Sequence, residues 1–538
     1  PSIKTALIWI HTPMKKADAE SARKRFAFEE IFFIQLQNEY SRKEYRKNPS
    51  FIIKPGNDHI EQFIKRFPFK PTNAQTKATE TIINDFGKGY AMSRLLEGDV
   101  GSGKTAVAAV TTYAIVTTKA SLEKNDLNKP DVKSKMSLLG PGHLQVAYMC
   151  PTEILATQHF ESFIQYFSYL GIQIALITGS GCRKFPSKVN PKGWTDISRT
   201  QLLKWIKQGE ISVVIGTHAL IQKTVQFKNL AYAIIDEQHR FGINTRRSLI
   251  KRDETGITRA PHLLSMTATP IPRTLALTIY GDLDLTLLDE VPQGRQAITT
   301  EIVKAHDRKN VYEKIREEIK NGRQCYVICP RIDEPDPDKE KVLQLKSVKE
   351  EAKRLKKDVF KEFSIGIMHS KMKSDEKDKV MNDFKNGKID ILCSTSVVEV
   401  GVNVPNATMI IIEGAERFGL AQLHQLRGRV MRSSHKPYCF IFTENESQKT
   451  FERLNALKNA KNGFELAEYD LKFRGSGELS GNKQWGVSDI AMESLRNIKM
   501  VELAKEQAKA MFEDENIFKK YPSLKSKIEK SHKEVHLE

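Results

Sequence analysis

The chain has no apolar run long enough to cross a membrane. None of its hydrophobic stretches approaches the roughly 18 residues that a transmembrane helix needs. Its first residues, PSIKTALIWIHTP, lack the order of charged, apolar and small residues that marks a signal peptide. The sequence therefore predicts a protein of the cytoplasm that does not bind a membrane.

Cysteine is scarce and scattered. The chain has six cysteines, and the only close pair, Cys325 and Cys329, has no second cluster near it. This pattern indicates neither a disulfide framework nor a zinc site. The sequence also has no internal repeat of solenoid length, which argues against a stacked-repeat architecture.

Acidic residues are too few to balance the basic ones. The sequence has 85 lysines and arginines against 66 aspartates and glutamates, which gives a net charge of +19. Such an excess fits a polyanion partner such as nucleic acid, although many basic proteins bind nothing in particular. With 538 residues, 40% of them hydrophobic, the chain is long enough for about three or four domains.

The order of apolar runs divides the chain into segments. An aromatic stripe at helical spacing predicts a long amphipathic helix from about Ala17 to Arg46. Strand and helix patterns then alternate twice, from about Phe67 to Glu290 and again after DEVPQGRQ, which predicts two parallel sheets. Beyond about Glu444 the pattern is helical and charged. The predicted domains are 1–66, 67–290, 291–457 and 458–538.

A glycine-rich stretch lies between an apolar run and an Ala-rich helical pattern. LLEGDVGSGKTAVAA contains the GxxxxGKT arrangement of a phosphate-binding loop, and a purely structural turn is the alternative. Glycines let backbone N–H groups wrap a phosphate, Lys104 would reach the β and γ phosphates of ATP, and Thr105 would ligate Mg²⁺. The predicted nucleotide-binding residues of the loop are Gly98, Gly101, Ser102, Gly103, Lys104 and Thr105.

Two adjacent acids follow another buried strand. In AYAIIDEQHRFG, Asp236 and Glu237 come after an apolar run, and open α/β sheets keep their chemistry at the carboxyl ends of such strands. In enzymes with a phosphate-binding loop, an acidic motif at a neighbouring strand end completes the metal site. Asp236 is therefore predicted to hold Mg²⁺, and Glu237 to orient and deprotonate the attacking water.

These motifs resemble those of the superfamily 2 helicases and translocases. IIDEQH is a DExH-type motif, and the rest of the helicase set can be read in FKPTNAQ, MCPTEILATQH, ITGS, IGTHALI, SMTATPIPRTLAL, STSVVEVGVNVP and LAQLHQLRGRVMR. Within the superfamily the chain is most similar to the RecG family of branched-DNA helicases. The resemblance implies an α/β fold of two RecA-like parallel-sheet lobes in tandem, with a helical amino-terminal linker and a helical carboxyl-terminal region.

The resemblance implies further residues of the ATP site. Gln75 is similar to the glutamine that recognises adenine. Gln425, Arg429 and Arg432 fit the QxxGRxxR motif, whose arginines reach the γ phosphate from the second lobe. The residues implied in coupling hydrolysis to movement are His239, Ser265, Thr267, Thr269, Arg474 and Gln484, the last two from the translocation motif DLKFRGSGELSGNKQWG.

Other motifs of the resemblance are expected to line the DNA. The residues with this role are Thr152, Gly179, Ser180, Thr217, Ser394 and Thr395. Hydroxyls and backbone amides there would bind phosphates without reading bases, and for any single threonine a helix cap is the alternative. Two positions depart from the family, because Asn403 replaces its usual Asp and Met431 its usual Gly. These two departures do not remove a phosphate-contacting group, but they leave open whether the lobes are coupled as in the family.

The resemblance implies an ATP-driven motor that moves on duplex DNA and remodels stalled replication forks and Holliday junctions in recombination and repair. The implied partners are double-stranded and branched DNA and a single-stranded DNA-binding protein, and the chain is expected to be a monomer. A transcription-repair translocase of the Mfd type is the alternative, although DEQH in place of the usual DEEH disfavours it. A catalytically weak nucleic-acid-binding protein is a third, disfavoured by the complete set of phosphate-contacting residues.

RecG proteins normally carry an amino-terminal wedge domain with an OB-fold that grips the branch point of DNA. The stretch from Ile8 to Gln37 resembles the join that follows this domain, and residue 1 is Pro rather than Met. We therefore expect the chain to be a fragment or a processed form that lacks the wedge.

Overall fold

A computed structural model describes most of the chain. The described residues are 1–118, 144–237, 251–252, 258–269, 272, 275–276, 278, 281–290, 292, 296–330, 347–369, 371–395, 404–431, 435–445, 447–473, 497–514 and 516–534. No helix within these ranges combines the length and the apolar character needed to cross a bilayer.

The strands form two large sheets and one small pair. Their bounds are β1 (Ser93–Gly98), β2 (Gln145–Met149), β3 (Ile174–Ile177), β4 (Cys182–Phe185), β5 (Thr195–Asp196), β6 (Val213–Gly216), β7 (Leu230–Asp236), β8 (Lys251–Arg252), β9 (Thr258–Arg259), β10 (His262–Thr267), β11 (Asp284–Leu288), β12 (Thr299–Val303), β13 (Gln324–Ile328), β14 (Ile365–Met368), β15 (Ile391–Ser394), β16 (Ala407–Ile412) and β17 (Tyr438–Phe442).

The helices cover the faces of the sheets and both ends of the chain. Their bounds are α1 (Ile3–His11), α2 (Lys16–Arg46), α3 (Asn57–Ile64), α4 (Asn73–Phe86), α5 (Lys104–Thr117), α6 (Glu153–Phe167), α7 (Arg199–Gln208), α8 (Arg308–Lys320), α9 (Ser374–Lys385), α10 (Leu420–Arg427), α11 (Gln448–Asn459), α12 (Gly463–Phe473), α13 (Ile498–Glu513), α14 (Ile517–Lys520) and α15 (Pro522–Glu534). A 3₁₀ turn, Gly428–Val430, follows α10 directly.

The first lobe is built on a nine-stranded sheet. Its strand order is β11-β1-β10-β7-β2-β6-β3-β4-β5, and the first seven of these strands are parallel. Strands such as β2 and β6 are buried along their whole length, as expected for a parallel sheet with both faces covered. The carboxyl ends of the parallel strands therefore meet at one edge of the sheet, where α/β folds place their ligands.

The second lobe is built on a six-stranded sheet with the order β12-β17-β16-β13-β15-β14. All of its pairs are parallel, and separate apolar clusters pack on its two faces. The prediction of two RecA-like parallel-sheet lobes is confirmed.

The long helix α2 lies where the aromatic stripe predicted a helix. Leu36 on α2 shares an apolar cluster with Ala508 and Phe512 of α13, so the two ends of the described chain pack together. The Arg42 guanidinium, buried on α2, donates a hydrogen bond to the carbonyl oxygen of Gly281 at 2.7 Å. Helix α2 thus ties the carboxyl-terminal helices to the first lobe.

Candidate functional site

The loop between β1 and α5 has the shape of a phosphate cradle. Gly101 and Gly103 adopt φ values of 75° and 89°, in the left-handed region that favours glycine. A Cβ atom at Gly98 would collide with the Ser102 hydroxyl, and one at Gly103 would collide with the side-chain amide of Gln75. These glycines are therefore needed both for the turn and for the close approach of its neighbours.

Lys104, the first residue of α5, directly follows the glycines of this loop. Its ammonium group donates to the carbonyl oxygens of Gly98 at 2.7 Å and Asp99 at 3.0 Å. Burial lowers the pKa of Lys104, while the charge of Glu237 opposes that shift. The Ser102 hydroxyl is buried and has no hydrogen-bond partner among the described residues. A group that offers anionic oxygens to this ammonium and this hydroxyl, such as a phosphate, fits the cradle.

Gln75 holds the loop against the start of α4. Its side-chain nitrogen donates to the carbonyl oxygen of Ser102 at 2.7 Å. Its side-chain oxygen accepts from the backbone N–H of Thr72 at 3.1 Å, which completes a capping box with the Thr72 hydroxyl. Because both ends of the amide are engaged, its orientation is fixed by the loop and by the helix cap together.

The acid pair lies beside the loop because β10 alone separates β7 from β1 in the sheet. Asp236 ends β7, and Glu237 follows it with φ of 56°, a backbone conformation that non-glycine residues rarely adopt. Burial and the charge of Asp236 raise the pKa of Glu237, whereas Lys104 and Arg429 oppose the rise. Charge interactions therefore connect Glu237 with Asp236, with Lys104 of the loop and with Arg429 of the second lobe.

The second lobe reaches this site through α10 and the 3₁₀ turn after it. A Cβ atom added to Gly428 would lie 2.7 Å from the Cβ of Val100, so only glycine lets this turn approach the loop so closely. On α10, His424 Nε2 lies 2.5 Å from a carboxylate oxygen of Asp99 in the loop. Gln425, on the same helix, and Arg429, on the turn, are both buried. The structure therefore joins the two lobes at the phosphate cradle.

A histidine that the sequence analysis did not single out contacts the predicted metal ligand. His159, buried on α6, donates from Nε2 to a carboxylate oxygen of Asp236 at 2.9 Å. The hydroxyl of Tyr148 lies 3.5 Å from the same nitrogen. Because Asp236 has one oxygen on His159 and the other on the backbone N–H of Glu237 at 3.1 Å, its orientation is fixed.

Replacement of His159 by Ala is expected to raise the Mg²⁺ concentration that ATP hydrolysis needs, because Mg²⁺ would bind more weakly. Loss of a hydrogen bond that orients a metal ligand typically costs about 10-fold to 100-fold in metal affinity or activity. We expect the Mg²⁺ concentration for half-maximal ATP hydrolysis to rise by about that factor, measured in a Mg²⁺ titration. The His159→Gln variant keeps an N–H donor and should lie closer to the unaltered protein, and equal titration curves for all three would contradict this role.

Four of the predicted DNA contacts lie along the same edge of the first sheet. Thr152, Gly179, Ser180 and Thr217 follow the carboxyl ends of β2, β3 and β6. Gly179 and Ser180 are exposed, and the N–H of Gly179 donates to a carboxylate oxygen of Glu153 at 2.8 Å. The Thr152 hydroxyl accepts from the N–H of Leu155 at 3.4 Å, so it caps α6. The start of a helix can bind a phosphate as well, so capping by Thr152 is compatible with a DNA contact at this position.

The two predicted DNA contacts of the second lobe are buried. Ser394, at the end of β15, donates from its hydroxyl to the carbonyl oxygen of Thr395 at 2.9 Å. The Thr395 hydroxyl is also buried and has no hydrogen-bond partner among the described residues. In this conformation neither hydroxyl is presented to a ligand at the surface.

The predicted coupling residues are described only in part. The hydroxyls of Thr267 and Thr269 lie 2.6 Å apart at the end of β10, between the loop strand β1 and the acid strand β7. Ser265, in β10 itself, is fully buried. The residues His239, Arg432, Arg474 and Gln484 lie outside the described residues.

A phosphate loop and an acid pair on one parallel-sheet lobe, faced by an arginine-bearing turn from a second, are the arrangement typical of two-lobed helicase-type proteins. Residues 72–278 match the DEAD/DEAH box helicase family, and residues 309–434 match the helicase conserved C-terminal domain. The RecG helicase of Bacillus subtilis (strain 168) is 39% identical over 536 residues, which cover 99% of this chain and 72% of that protein. The chain belongs to the RecG family of ATP-dependent DNA helicases.

Other relatives are longer than this chain. RecG of Synechocystis sp. is 40% identical over 530 residues, and RecG of Thermotoga maritima is 41% identical over 505 residues. These matches cover 98% and 94% of this chain but 58% and 59% of the relatives, so the chain spans little more than half of their length.

Solved structures agree on the fold. A RecG structure bound to a three-way DNA junction superposes with a TM-score of 0.70 at 38% identity, covering 92% of this chain and 59% of that one. The helicase MrfA bound to DNA superposes with a TM-score of 0.53 at 16% identity, over 86% of this chain and 62% of that one, which supports the fold alone.

Proposed function

We propose that the chain hydrolyses ATP to move along duplex DNA and to remodel branched DNA, such as stalled replication forks and Holliday junctions. The observation that carries the proposal is the meeting of the second-lobe arginine turn with the loop and the acid pair of the first lobe. A site made from both lobes can link hydrolysis to their relative movement. The similar RecG structure bound to a three-way junction supports branched DNA as the substrate, and the RecG relatives favour this function over a Mfd-type one.

The geometry supports a division of chemical roles in the ATP site. Thr105 and Asp236 would hold Mg²⁺, which when bound would neutralise charge on the β and γ phosphates. Lys104 would exchange its two loop carbonyls for phosphate oxygens. Glu237 would accept the proton of the attacking water, and Arg429 would stabilise the negative charge that develops on the γ phosphate. Arg432 has the same role in the proposal as Arg429.

The carboxyl edge of the first sheet supports phosphate binding by DNA next to the ATP site. The exposed turn with Gly179 and Ser180 and the start of α6 at Thr152 lie along this edge, where backbone and hydroxyl contacts to DNA phosphates would form. Such contacts bind phosphates without reading bases, so binding is expected to be independent of sequence and weakened by salt. The net charge of +19 favours the same partner.

Oligomeric state, protein partner, location and domain division complete the proposal. A monomeric state rests on the family resemblance alone. A single-stranded DNA-binding protein as partner and a cytoplasmic location are proposed on the same basis. The domain division 1–66, 67–290, 291–457 and 458–538 is proposed with the two sheets lying within the second and third of these segments.

The test is ATP-dependent displacement of a strand from DNA. Replacement of Arg474 or Gln484 by Ala should leave DNA-stimulated ATP hydrolysis within about threefold of the unaltered protein while abolishing displacement of a triplex-forming strand. The reason is that ATP would still be hydrolysed, but hydrolysis would no longer move the protein along the duplex. Equal loss of both activities would contradict a coupling role, and no ATP-dependent displacement by the unaltered protein would overturn the proposed function.

A further inference from the structure

Asp99 in the phosphate loop contacts two separate parts of the second half of the chain. One carboxylate oxygen accepts from His424 Nε2 at 2.5 Å and from the N–H of Val100 at 2.6 Å. The other oxygen accepts from the backbone N–H of Gly463 at 2.9 Å. Gly463 is the first residue of α12, so Asp99 satisfies one of the N–H groups that a helix leaves open at its start.

The His424 contact continues into the helical hairpin of α11 and α12. Arg427 donates to His424 Nδ1 at 2.9 Å, so the ring proton is on Nε2 and points at Asp99. The same guanidinium donates to the carbonyl oxygen of Leu457 on α11 at 2.5 Å. The chain of contacts from the loop therefore reaches both helices of the hairpin, one through His424 and Arg427, the other through Gly463.

Asp99 is ionised in this setting. Burial opposes ionisation, but the hydrogen bonds from His424 and from the N–H groups of Gly463 and Val100 outweigh it, and the pKa of Asp99 is lowered to about 2. Hydrogen bonds to a carboxylate are stronger than those to a neutral acceptor. Each of these contacts is therefore a charge-assisted hydrogen bond.

The backbone of Asp99 is held in part by Lys104. The ammonium of Lys104 donates to the carbonyl oxygens of Gly98 and Asp99 in this structure. A phosphate that takes over the ammonium removes both of these bonds, which frees the backbone of Asp99 to shift. Helix α12 ends at Phe473, and the next residue is Arg474 of the translocation motif.

We propose that the Asp99 carboxylate links nucleotide binding at the phosphate loop to the position of the α11–α12 hairpin. Through the hairpin, Asp99 also influences the position of the translocation motif. This inference rests on the proposed function and adds a positioning residue to it. Asp99 acts through Gly463 and His424 and does not itself contact the nucleotide.

The test compares two variants of Gly463 in the full chain. Gly463→Pro removes the N–H that Asp99 accepts, at a first helical position where proline is well tolerated. Gly463→Ala adds a Cβ as well but keeps the N–H, so it is the matched control. The readout is the number of triplex-forming strands displaced per ATP hydrolysed on linear duplex DNA.

We expect Gly463→Pro to displace about tenfold fewer strands per ATP than Gly463→Ala, because a hydrogen bond to a charged group is lost. Their rates of ATP hydrolysis should agree within about threefold. Equal displacement per ATP in the two variants would overturn the proposal, and so would parallel loss of hydrolysis and displacement.

A second variant covers the case in which Gly463→Pro fails to fold. His424→Phe keeps a ring on α10 but removes the donor to Asp99, and it should lower displacement per ATP in the same way. An unchanged ratio would overturn the proposal. Failure of the proposed function is distinguishable, since the unaltered protein would then show no ATP-dependent displacement at all.

Discussion

The Glu237→Gln variant is expected to bind ATP but to hydrolyse it about 10²-fold to 10⁴-fold more slowly, because the attacking water loses its general base. Glutamine keeps the shape of the side chain, and Asp236 keeps its contact with His159 at 2.9 Å, so the metal ligand stays in place. Partial burial and the charge of Asp236 also raise the pKa of Glu237, which makes the carboxylate a stronger base. Steady-state hydrolysis and nucleotide binding by fluorescence measure the two effects separately.

The matched control for this variant is Glu210→Gln, an exposed glutamate of the first lobe. It should hydrolyse ATP like the unaltered protein, because its carboxylate lies in solvent rather than in the ATP site. Hydrolysis by Glu237→Gln within about threefold of the unaltered rate would show that another group accepts the proton.

The Arg429→Ala variant is expected to lose about 10³-fold in the rate of hydrolysis, the loss that follows when an arginine finger is removed. Arg429 is buried on the turn after α10, and its charge acts on the Glu237 carboxylate of the other lobe. A fixed guanidinium there can stabilise charge on the γ phosphate only while the lobes are in contact. Steady-state hydrolysis at saturating ATP and DNA measures the loss.

Two further variants define what Arg429 contributes. Arg429→Lys keeps the positive charge but not the planar fork, so it should recover only a small part of the rate. Arg417→Ala removes an exposed arginine of the second lobe and should hydrolyse ATP normally. If Arg429→Ala lost no more activity than Arg417→Ala, the second lobe would not take part in the chemistry as proposed.

The fold was predictable because its signals are local. Apolar runs such as AYAII and ATMIII became the buried strands β7 and β16, and the glycines of GDVGSGKT stand where the loop needs φ values near 75° and 89°. The adjacency of Asp236 to the loop was also predictable, since parallel strands bring their carboxyl ends to one edge.

The contacts between distant segments were not predictable from one sequence. Asp99 and His424 are 325 residues apart, and His159 and Asp236 are 77 apart, so only the fold brings each pair together. All four residues lie inside helicase motifs, but a motif does not show which of its side chains will meet.

Burial of a hydroxyl is equally hard to infer from a motif. The resemblance of STSVVEVGVNVP to a family motif implied a DNA contact at Ser394. The structure places Ser394 at the end of a fully buried strand instead, with its hydroxyl on the carbonyl oxygen of the next residue.

The most direct test of the central claim, that the two lobes form one DNA-driven ATPase site, is the rate of ATP hydrolysis with and without a three-way DNA junction. We predict that the junction raises the rate at saturating ATP by about tenfold or more, which corresponds to roughly 1.4 kcal/mol of transition-state stabilisation. Hydrolysis that is the same with and without DNA would contradict the account.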